Sequence, residues 1–186
     1  MLLHRRRRPT GAAEQALKES PVHEGFTSRA ALITEIDGIL AADRDTVIPR
    51  PLIDGLAAIA ENAPLHAGAD LPVHADTDWG NWLADDQNVT ALLDFERARF
   101  GVPADDWVLL AVHSGPHIAL VLDVIAEETA GSPEALRADC EIRDAAFIAQ
   151  DIHHALELPD VPQWMPRRVV DLERLVIGRR WWQPAR

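Results

Sequence analysis

The sequence contains little of what builds disulfide-rich, zinc-clustered or membrane-spanning proteins. Its single cysteine, Cys140, excludes an internal disulfide framework and any zinc site made of several cysteines. No apolar run approaches the roughly 20 residues that a membrane-spanning helix needs, and no apolar stretch follows Arg5–Arg8 to form a secretory signal. With 47% hydrophobic residues in 186, the chain has enough apolar material for a sizeable core. We therefore expect a soluble, folded, cytoplasmic protein.

Positive charge is outnumbered by negative charge, 18 residues to 30, and four of the 18 lie in one short segment. Arg5–Arg8 contribute four positive charges to a net charge of −12, so the rest of the chain carries −16. Such an acidic body repels nucleic-acid phosphates and attracts cationic partners or metal ions. We expect neither a nucleic-acid nor a membrane partner. We interpret residues 1–25 as a disordered basic tail, the alternative being a nucleic-acid or targeting arm.

Apolar periodicity after residue 26 predicts a mainly helical domain with one small β-hairpin. Apolar residues recur at helical spacing, and prolines stand near the starts of several of these segments. Two short apolar runs flank the polar quartet Asp85–Asn88, a pattern typical of a hairpin. The predicted helices cover about 27–40, 52–62, 105–113, 116–129, 133–158 and 166–177. The fold class is α+β, mainly α, in one domain over residues 26–186; all-β and doubly wound α/β folds fit poorly.

One polar segment carries residues suited to phosphoryl transfer. His74, Asp76 and Asn81 lie in a loop after a short apolar segment, and Asp94 and Glu96 follow the predicted hairpin. Phosphoryl transfer needs a carboxylate that orients the attacking hydroxyl and accepts its proton. It also needs oxygen ligands that hold magnesium against the nucleotide phosphates. The spacing therefore predicts Asp76 as the base and Asn81 and Asp94 as magnesium ligands, the alternative being that Asp76 and Asp94 are ordinary loop carboxylates.

The segment from Leu71 to Leu110 resembles the catalytic region of the aminoglycoside phosphotransferase family. That family's pattern is roughly His-Gly-Asp-x4-Asn, followed by Asp-Phe-Glu or Asp-Phe-Asp. Residues 101–107 resemble the family's Gly-x-Pro-x-x-Asp stretch, and Ala75 stands where glycine is usual. The residues that match the first two elements are His74, Asp76, Asn81, Asp94, Phe95 and Glu96.

The resemblance implies a protein-kinase-like fold, of which this chain is the C-terminal lobe. It implies ATP- and Mg²⁺-dependent phosphorylation of a hydroxyl on a small molecule, and an acidic body would suit a cationic acceptor such as an aminoglycoside. The residues to which it assigns roles are Asp76 and His74 for catalysis, Asn81 and Asp94 for the metal and nucleotide, Asp106 for bracing the catalytic loop, and Glu96, Asp144 and Asp151 for the substrate.

The N-terminal nucleotide lobe of such kinases is not recognisable in this sequence. That lobe carries β-strands, a loop over the phosphates and a lysine that pairs with them. The only lysine, Lys18, lies in a helix-like segment, and no glycine-rich loop is present. We predict a truncated phosphotransferase; the alternatives are a non-catalytic lobe that binds a metabolite or a partner protein, and a lobe completed by another chain. Apolar surface normally covered by the missing lobe makes self-association a further expectation.

Two further histidine pairs and the C-terminal tryptophans are interpreted as surface, core or structural residues. His113 and His117 are separated by Gly115-Pro116 and lack the accompanying glutamate of a zinc motif. His153 and His154 are adjacent and therefore face different directions on a helix. Trp181-Trp182 is expected to pack on the domain.

Overall fold

A computed structural model describes residues 29–65, 71–86 and 88–184. The predicted tail over residues 1–25, including Lys18, lies outside this range. The described helices are α1 (Arg29–Ala42), α2 (Arg50–Asn62), α3 (Ala104–His113), α4 (Ile118–Thr129), α5 (Pro133–Glu157) and α6 (Met165–Val176). The strands are β1 (Leu71–Val73), β2 (Trp82–Ala84), β3 (Val89–Leu92) and β4 (Arg99–Gly101).

Proline positions and apolar spacing explain where the helices begin and which face is buried. Prolines occupy the first turns of α2 and α6, where the missing N–H has no helical partner to lose and the fixed φ suits the helix. On α1, Leu32, Ile36 and Ile39 are buried at the three- to four-residue spacing of one helix face. The C-cap residue of α4, Ala130, has a left-handed φ of 53° that ends the helix.

Contacts divide the described chain into two compact units, one of which comprises residues 71–86, 88–136 and 184. In this unit β1 pairs with β4 in antiparallel register, with Val73 opposite Arg99. β2 and β3 form an antiparallel hairpin, with Trp82 opposite Leu92 and a register irregularity at Leu83/Ala84. Helix α3 packs against α4.

The second unit comprises residues 29–65 and 137–183. Here α1 packs against α2, and α2 packs against α6. The α2–α6 approach is close at Gly55, where a Cβ would lie 2.0 Å from Cγ1 of Val176, so no side chain larger than hydrogen fits without rearrangement. The buried apolar side chains of this second unit include Leu32, Ile36, Ile39, Leu52, Ile53, Leu56, Ile148, Ile152, Leu172 and Leu175.

The predicted fold class is confirmed: the described residues are mainly helical and include one small antiparallel hairpin near the predicted position. Strand β4 and its pairing with β1 were not predicted. Its three residues are too few to show an alternating pattern, and its partner lies about 28 residues earlier in the chain. Among the described residues, no helix combines the length and apolar character needed to cross a membrane.

Candidate active site

His74 connects the loop after β1 to the segment that follows the β2–β3 hairpin. The ring is buried, and its Nε2 lies 2.7 Å from the main-chain oxygen of Leu93. A carbonyl oxygen can only accept a hydrogen bond, so Nε2 carries the proton. The ring also contacts Phe95 edge-on, with the centroids 4.5 Å apart. His74 therefore holds the chain on both sides of Asp94.

Asp106 holds the loop from the opposite side. It lies in the first turn of α3 and is fully buried, and its Oδ1 accepts a hydrogen bond from the Ala75 main-chain N–H at 2.8 Å. The Thr77 hydroxyl donates to the main-chain oxygen of Asp106. A carboxylate is favoured near a helix N-terminus because of the helix dipole. These two hydrogen bonds are the contacts on which the bracing role implied for Asp106 depends, and that role stays a prediction.

Ala75 adopts a backbone conformation that glycine would adopt more easily. Its φ is 62°, in the left-handed region, and the residue is buried. For an L-residue this region costs about 1–2 kcal/mol because Cβ crowds the following carbonyl oxygen. The hydrogen bond to Asp106 is made from this conformation, so the departure from the family's usual glycine is accommodated with the backbone still tied to α3.

Asp76 and Asn81 are joined directly. The Asn81 Nδ2 donates to the main-chain oxygen of Asp76 at 3.0 Å, which fixes the orientation of the amide and so the position of its acceptor atom, Oδ1. The Asp76 side chain is 23% exposed, and its Oδ2 lies 3.9 Å from Nε of Arg97. The structure thus places the predicted base and one predicted metal ligand at the two ends of a six-residue loop, residues 76–81, closed by a hydrogen bond.

Asp78 and His113 are site residues that the sequence reasoning missed. Asp78 Oδ1 accepts from the Gly80 N–H at 2.7 Å and caps the short 3₁₀ turn Trp79–Asn81. Its Oδ2 lies 3.1 Å from Nδ1 of His113, the last residue of α3. The Asp-x-Gly spacing is a signal for the capping turn, whereas the contact with His113, 35 residues away, has no local signal. His113 supports the loop through this contact. Among the described residues, neither His113 nor His117 belongs to a group of three or more His, Cys, Asp or Glu side chains that could hold a metal ion.

Asp94 lies beside the same loop through main-chain hydrogen bonds. The Leu93 N–H donates to the main-chain oxygen of Asn81 at 2.8 Å, so Asp94 is the next residue after the one bonded to both Asn81 and His74. Asp94 has a left-handed φ of 59°, a region in which aspartate is enriched among non-glycine residues. Its side chain is exposed, as is Glu96 in the following 3₁₀ turn.

The tryptophans of the loop pack against each other. The rings of Trp79 and Trp82 lie 5.0 Å apart, one on each side of Gly80 and Asn81. Trp79 remains about half exposed, as do Leu83 and Phe95. The candidate site therefore has apolar side chains beside its carboxylates.

The predicted substrate residues Asp144 and Asp151 belong to the other unit, on α5. Asp144 is buried, and its Oδ2 accepts hydrogen bonds from Nε of Arg180 at 2.7 Å and from Nε1 of Trp181 at 2.8 Å. Burial raises the pKa of the Asp144 carboxyl, and Arg180 opposes that rise. Asp151 is half exposed and lies 2.6 Å from Nε of Arg168. Both carboxylates thus have cationic partners within the chain, and their role toward a substrate stays a prediction.

Replacing Asp106 with alanine is expected to lower the free energy of unfolding by about 2–3 kcal/mol. The change leaves the buried Ala75 N–H without the carboxylate that accepts it. At this chain length that loss corresponds to a melting temperature lower by about 4–12 °C, measured by circular dichroism. The matched control is Asp86→Ala, an exposed carboxylate on the hairpin turn, which should change stability by at most about 0.5 kcal/mol. Equal melting temperatures for the two variants would contradict the bracing role.

Three comparisons with known proteins bear on this site. A family model described as "Phosphotransferase enzyme family" matches residues 3–138. No curated protein matches the sequence. Among solved structures, the chain is similar to a crystal structure of aminoglycoside phosphotransferase APH(2'')-Ib with ADP bound, with a TM-score of 0.54 and 16% sequence identity. The alignment covers 93% of this chain and 58% of that one, and at this identity it shows the fold alone.

Proposed function

Because the chain belongs to the phosphotransferase enzyme family, we propose that residues 74–106 form the catalytic half of an ATP-dependent phosphotransferase active site. The observation that carries the proposal is one hydrogen-bonded path that links Asp76, Asn81 and His74 through the main chain of Leu93. Asn81 Nδ2 donates to Asp76, the Leu93 N–H donates to Asn81, and His74 donates to Leu93. This path joins the loop of Asp76 and Asn81 to the segment that carries Asp94.

In this proposal Asp76 orients the acceptor hydroxyl and takes its proton. Its carboxylate is partly exposed, while its main chain is held between Ala75, which bonds Asp106, and the hydrogen bond from Asn81. A base fixed by its backbone but open at its carboxylate can be approached by a hydroxyl at hydrogen-bond distance. Arg97, 3.9 Å away, is the cation that accompanies this carboxylate.

Asn81 and Asp94 would hold Mg²⁺. Their ligand atoms fit that ion, because an amide oxygen oriented by the Nδ2 hydrogen bond and an exposed carboxylate are both hard oxygen ligands. Nucleotide-bound magnesium takes few protein ligands and completes its shell with water and phosphate. When bound, the ion neutralises charge on the phosphate oxygens.

The proposed acceptor is a hydroxyl on a small molecule, and the net charge of −12 favours a cationic one. The structural neighbour is described as an aminoglycoside phosphotransferase with ADP bound, and this chain spans 58% of its length. In the described residues before β1 there is no sheet that could cover a nucleotide. We propose that a β-rich lobe, from a longer polypeptide or a separate chain, completes the nucleotide site.

Binding of Mg²⁺ and ATP should stabilise this chain through Asp94. At a ligand concentration of 100 times the dissociation constant the gain is about 2.7 kcal/mol, or about 5–11 °C in melting temperature. Asp94→Asn should abolish most of that shift, since asparagine keeps the left-handed preference but loses the carboxylate charge. The matched control is Asp86→Asn, which should shift like the unmodified chain.

Each outcome of this binding experiment has a different meaning. A shift that needs Mg²⁺, ATP and Asp94 together supports the half-site. A shift that persists in Asp94→Asn would contradict the metal assignment. An absence of any shift at millimolar ATP would contradict autonomous nucleotide binding and would mean that the β-rich lobe is indispensable or that the chain binds something else.

A further inference from the structure

Helix α3 holds the loop of residues 75–81 at both of its ends. In its first turn, the carboxylate of Asp106 accepts a hydrogen bond from the Ala75 N–H at 2.8 Å. At its last residue, Nδ1 of His113 lies 3.1 Å from Oδ2 of Asp78. The two helix residues are seven positions apart, which is two turns of an α-helix, so their side chains lie on the same face. The loop is therefore attached to one face of α3 at two levels.

Asp78 connects the second attachment to Asn81. Its Oδ1 accepts from the Gly80 N–H at 2.7 Å, and its main-chain oxygen accepts from the Asn81 N–H at 2.9 Å. These hydrogen bonds close the 3₁₀ turn Trp79–Asn81, whose last residue is a proposed magnesium ligand. The other carboxylate oxygen, Oδ2, is the one that His113 contacts. Because the two oxygens belong to one planar carboxylate, a contact that holds Oδ2 also holds Oδ1 and the turn that it caps.

The hydrogen bond between His113 and Asp78 is available in both charge states of the imidazole. An ionised carboxylate can only accept, so Nδ1 is the donor. A neutral ring can carry its proton on Nδ1, and an imidazolium carries one on each nitrogen. The separation of 3.1 Å is within the normal range for an N–H donor and an oxygen acceptor. The contact therefore holds the turn whether or not the histidine is charged.

This contact is placed to order the loop more than to stabilise the fold. The side chains of His113 and Asp78 are 39% and 49% exposed, so neither belongs to the core. A pair of this exposure shifts an equilibrium by about fivefold at most. Asp106, the other attachment, is fully buried. Removing the exposed attachment should leave the folded unit intact and loosen the end of the loop that carries Asn81.

We propose that His113 is a positioning residue for the magnesium ligand Asn81 and that it acts through Asp78. This role rests on the proposed function, because Asn81 is a magnesium ligand only if residues 74–106 transfer phosphate. In that reaction the acceptor proton goes to Asp76, and His113 contacts neither metal nor substrate. Loss of His113 should therefore weaken magnesium binding without slowing the chemical step, which is the kinetic pattern of lost ground-state binding.

The first measurement is ATP turnover by the complete protein as a function of Mg²⁺ concentration. His113→Ala should raise the apparent KM for Mg²⁺ about three- to fivefold and leave kcat at saturating Mg²⁺ within about twofold. His113→Asn should restore the KM, because the asparagine Nδ2, like the ring Nδ1, is a donor bonded to Cγ. His117→Ala is the matched control: it removes an exposed histidine whose side chain makes no capping hydrogen bond. In the Asp78→Ala background, His113→Ala should have no further effect.

The second measurement needs neither nucleotide nor turnover. It is amide hydrogen exchange, followed by NMR on the full chain, at two positions of the loop. In His113→Ala the Gly80 N–H, which Asp78 accepts, should exchange about two- to fivefold faster. The Ala75 N–H, which Asp106 accepts, should keep its rate and so report that the fold is intact. His113→Asn should return the Gly80 rate to that of the unmodified chain.

The two measurements separate failure of this role from failure of the proposed function. An unchanged Gly80 rate in His113→Ala, or an equal acceleration in His113→Asn, would overturn the role whether or not the protein transfers phosphate. So would faster exchange with an unchanged KM for Mg²⁺, or a kcat lowered tenfold or more at saturating Mg²⁺. If the unmodified protein showed no magnesium-dependent turnover, the proposed function and the magnesium role of His113 would both be overturned, even if the Gly80 rate showed that the attachment through Asp78 exists.

Discussion

Substituting asparagine for Asp76 is expected to lower the rate of phosphoryl transfer by about 10²–10⁴-fold, the usual contribution of a positioned general base. Asparagine has nearly the same shape but cannot take a proton at neutral pH. The hydrogen bond from Asn81 goes to the main-chain oxygen of residue 76 and is untouched by the change. The melting temperature should therefore stay within about 3 °C of the unmodified chain, the shift for a change of up to 1 kcal/mol.

The measurement is release of ADP from ATP in the presence of a panel of small hydroxyl compounds that includes cationic ones. It is made with the complete protein if the nucleotide lobe is supplied separately. Asp86→Asn is the control for the loss of one negative charge and should keep full turnover. If Asp76→Asn retained turnover while Asp94→Asn lost it, the base would have to be another residue. If both retained it, the loop would not be the site of transfer.

Substituting methionine for Arg180 is expected to lower the free energy of unfolding by about 3–5 kcal/mol at neutral pH. Asp144 is buried and receives two of its hydrogen bonds from Arg180 and Trp181. Without the guanidinium it becomes a buried carboxylate without a compensating charge, the costliest way to break such a pair. At this chain length the melting temperature should fall by about 6–20 °C.

The pH dependence of this loss distinguishes charge burial from lost packing. Burial raises the pKa of the Asp144 carboxyl and Arg180 lowers it, so removing Arg180 raises that pKa further. At a pH between the ordinary pKa and the raised one, the Asp144 carboxyl holds a proton in the native state that it has lost in the unfolded chain. The stability of the variant is therefore retained below the ordinary aspartate pKa of 3.8 and is lost as pH rises through the raised value. The variant should be least destabilised near pH 4.

Urea unfolding between pH 4 and 8 measures this profile. The matched control is the double variant Asp144→Asn with Arg180→Met, which removes the charge along with its partner. It should recover most of the loss at neutral pH and show a flatter pH dependence than Arg180→Met alone. A destabilisation by Arg180→Met that is the same at every pH would assign the effect to packing of the arginine side chain.

The helices and the hairpin could be predicted because their signals are local. Prolines and apolar spacing lie within each helix, and the two runs around residues 85–88 are adjacent in the chain. The candidate site loop, residues 74–81, could be singled out because three chemically distinctive residue types stand there at short, fixed spacing. Each of these features depends on residues fewer than about 25 positions apart.

The supporting contacts could not be predicted, because their partners lie far apart in the sequence. His113 meets Asp78, Arg180 meets Asp144, and Glu35 meets His153 across 35, 36 and 118 residues of chain. Nothing in the local sequence selects these partners, since acidic residues are abundant throughout the chain. The left-handed backbone at Ala75 was also unforeseen in detail, although the family's usual glycine at that position is the residue type such a backbone favours.

The contact between Trp79 and Trp82 provides an optical probe within the proposed metal loop. Two indoles with centroids 5.0 Å apart couple their electronic transitions, so their circular dichroism depends on the distance and angle between the rings. The pair brackets Asn81, and any ligand that draws this residue toward itself changes that geometry. The chain has six tryptophans, and the difference spectrum between the unmodified protein and Trp79→Phe isolates the signal of this pair. Occupancy of the loop can then be followed without a label, an acceptor substrate or turnover.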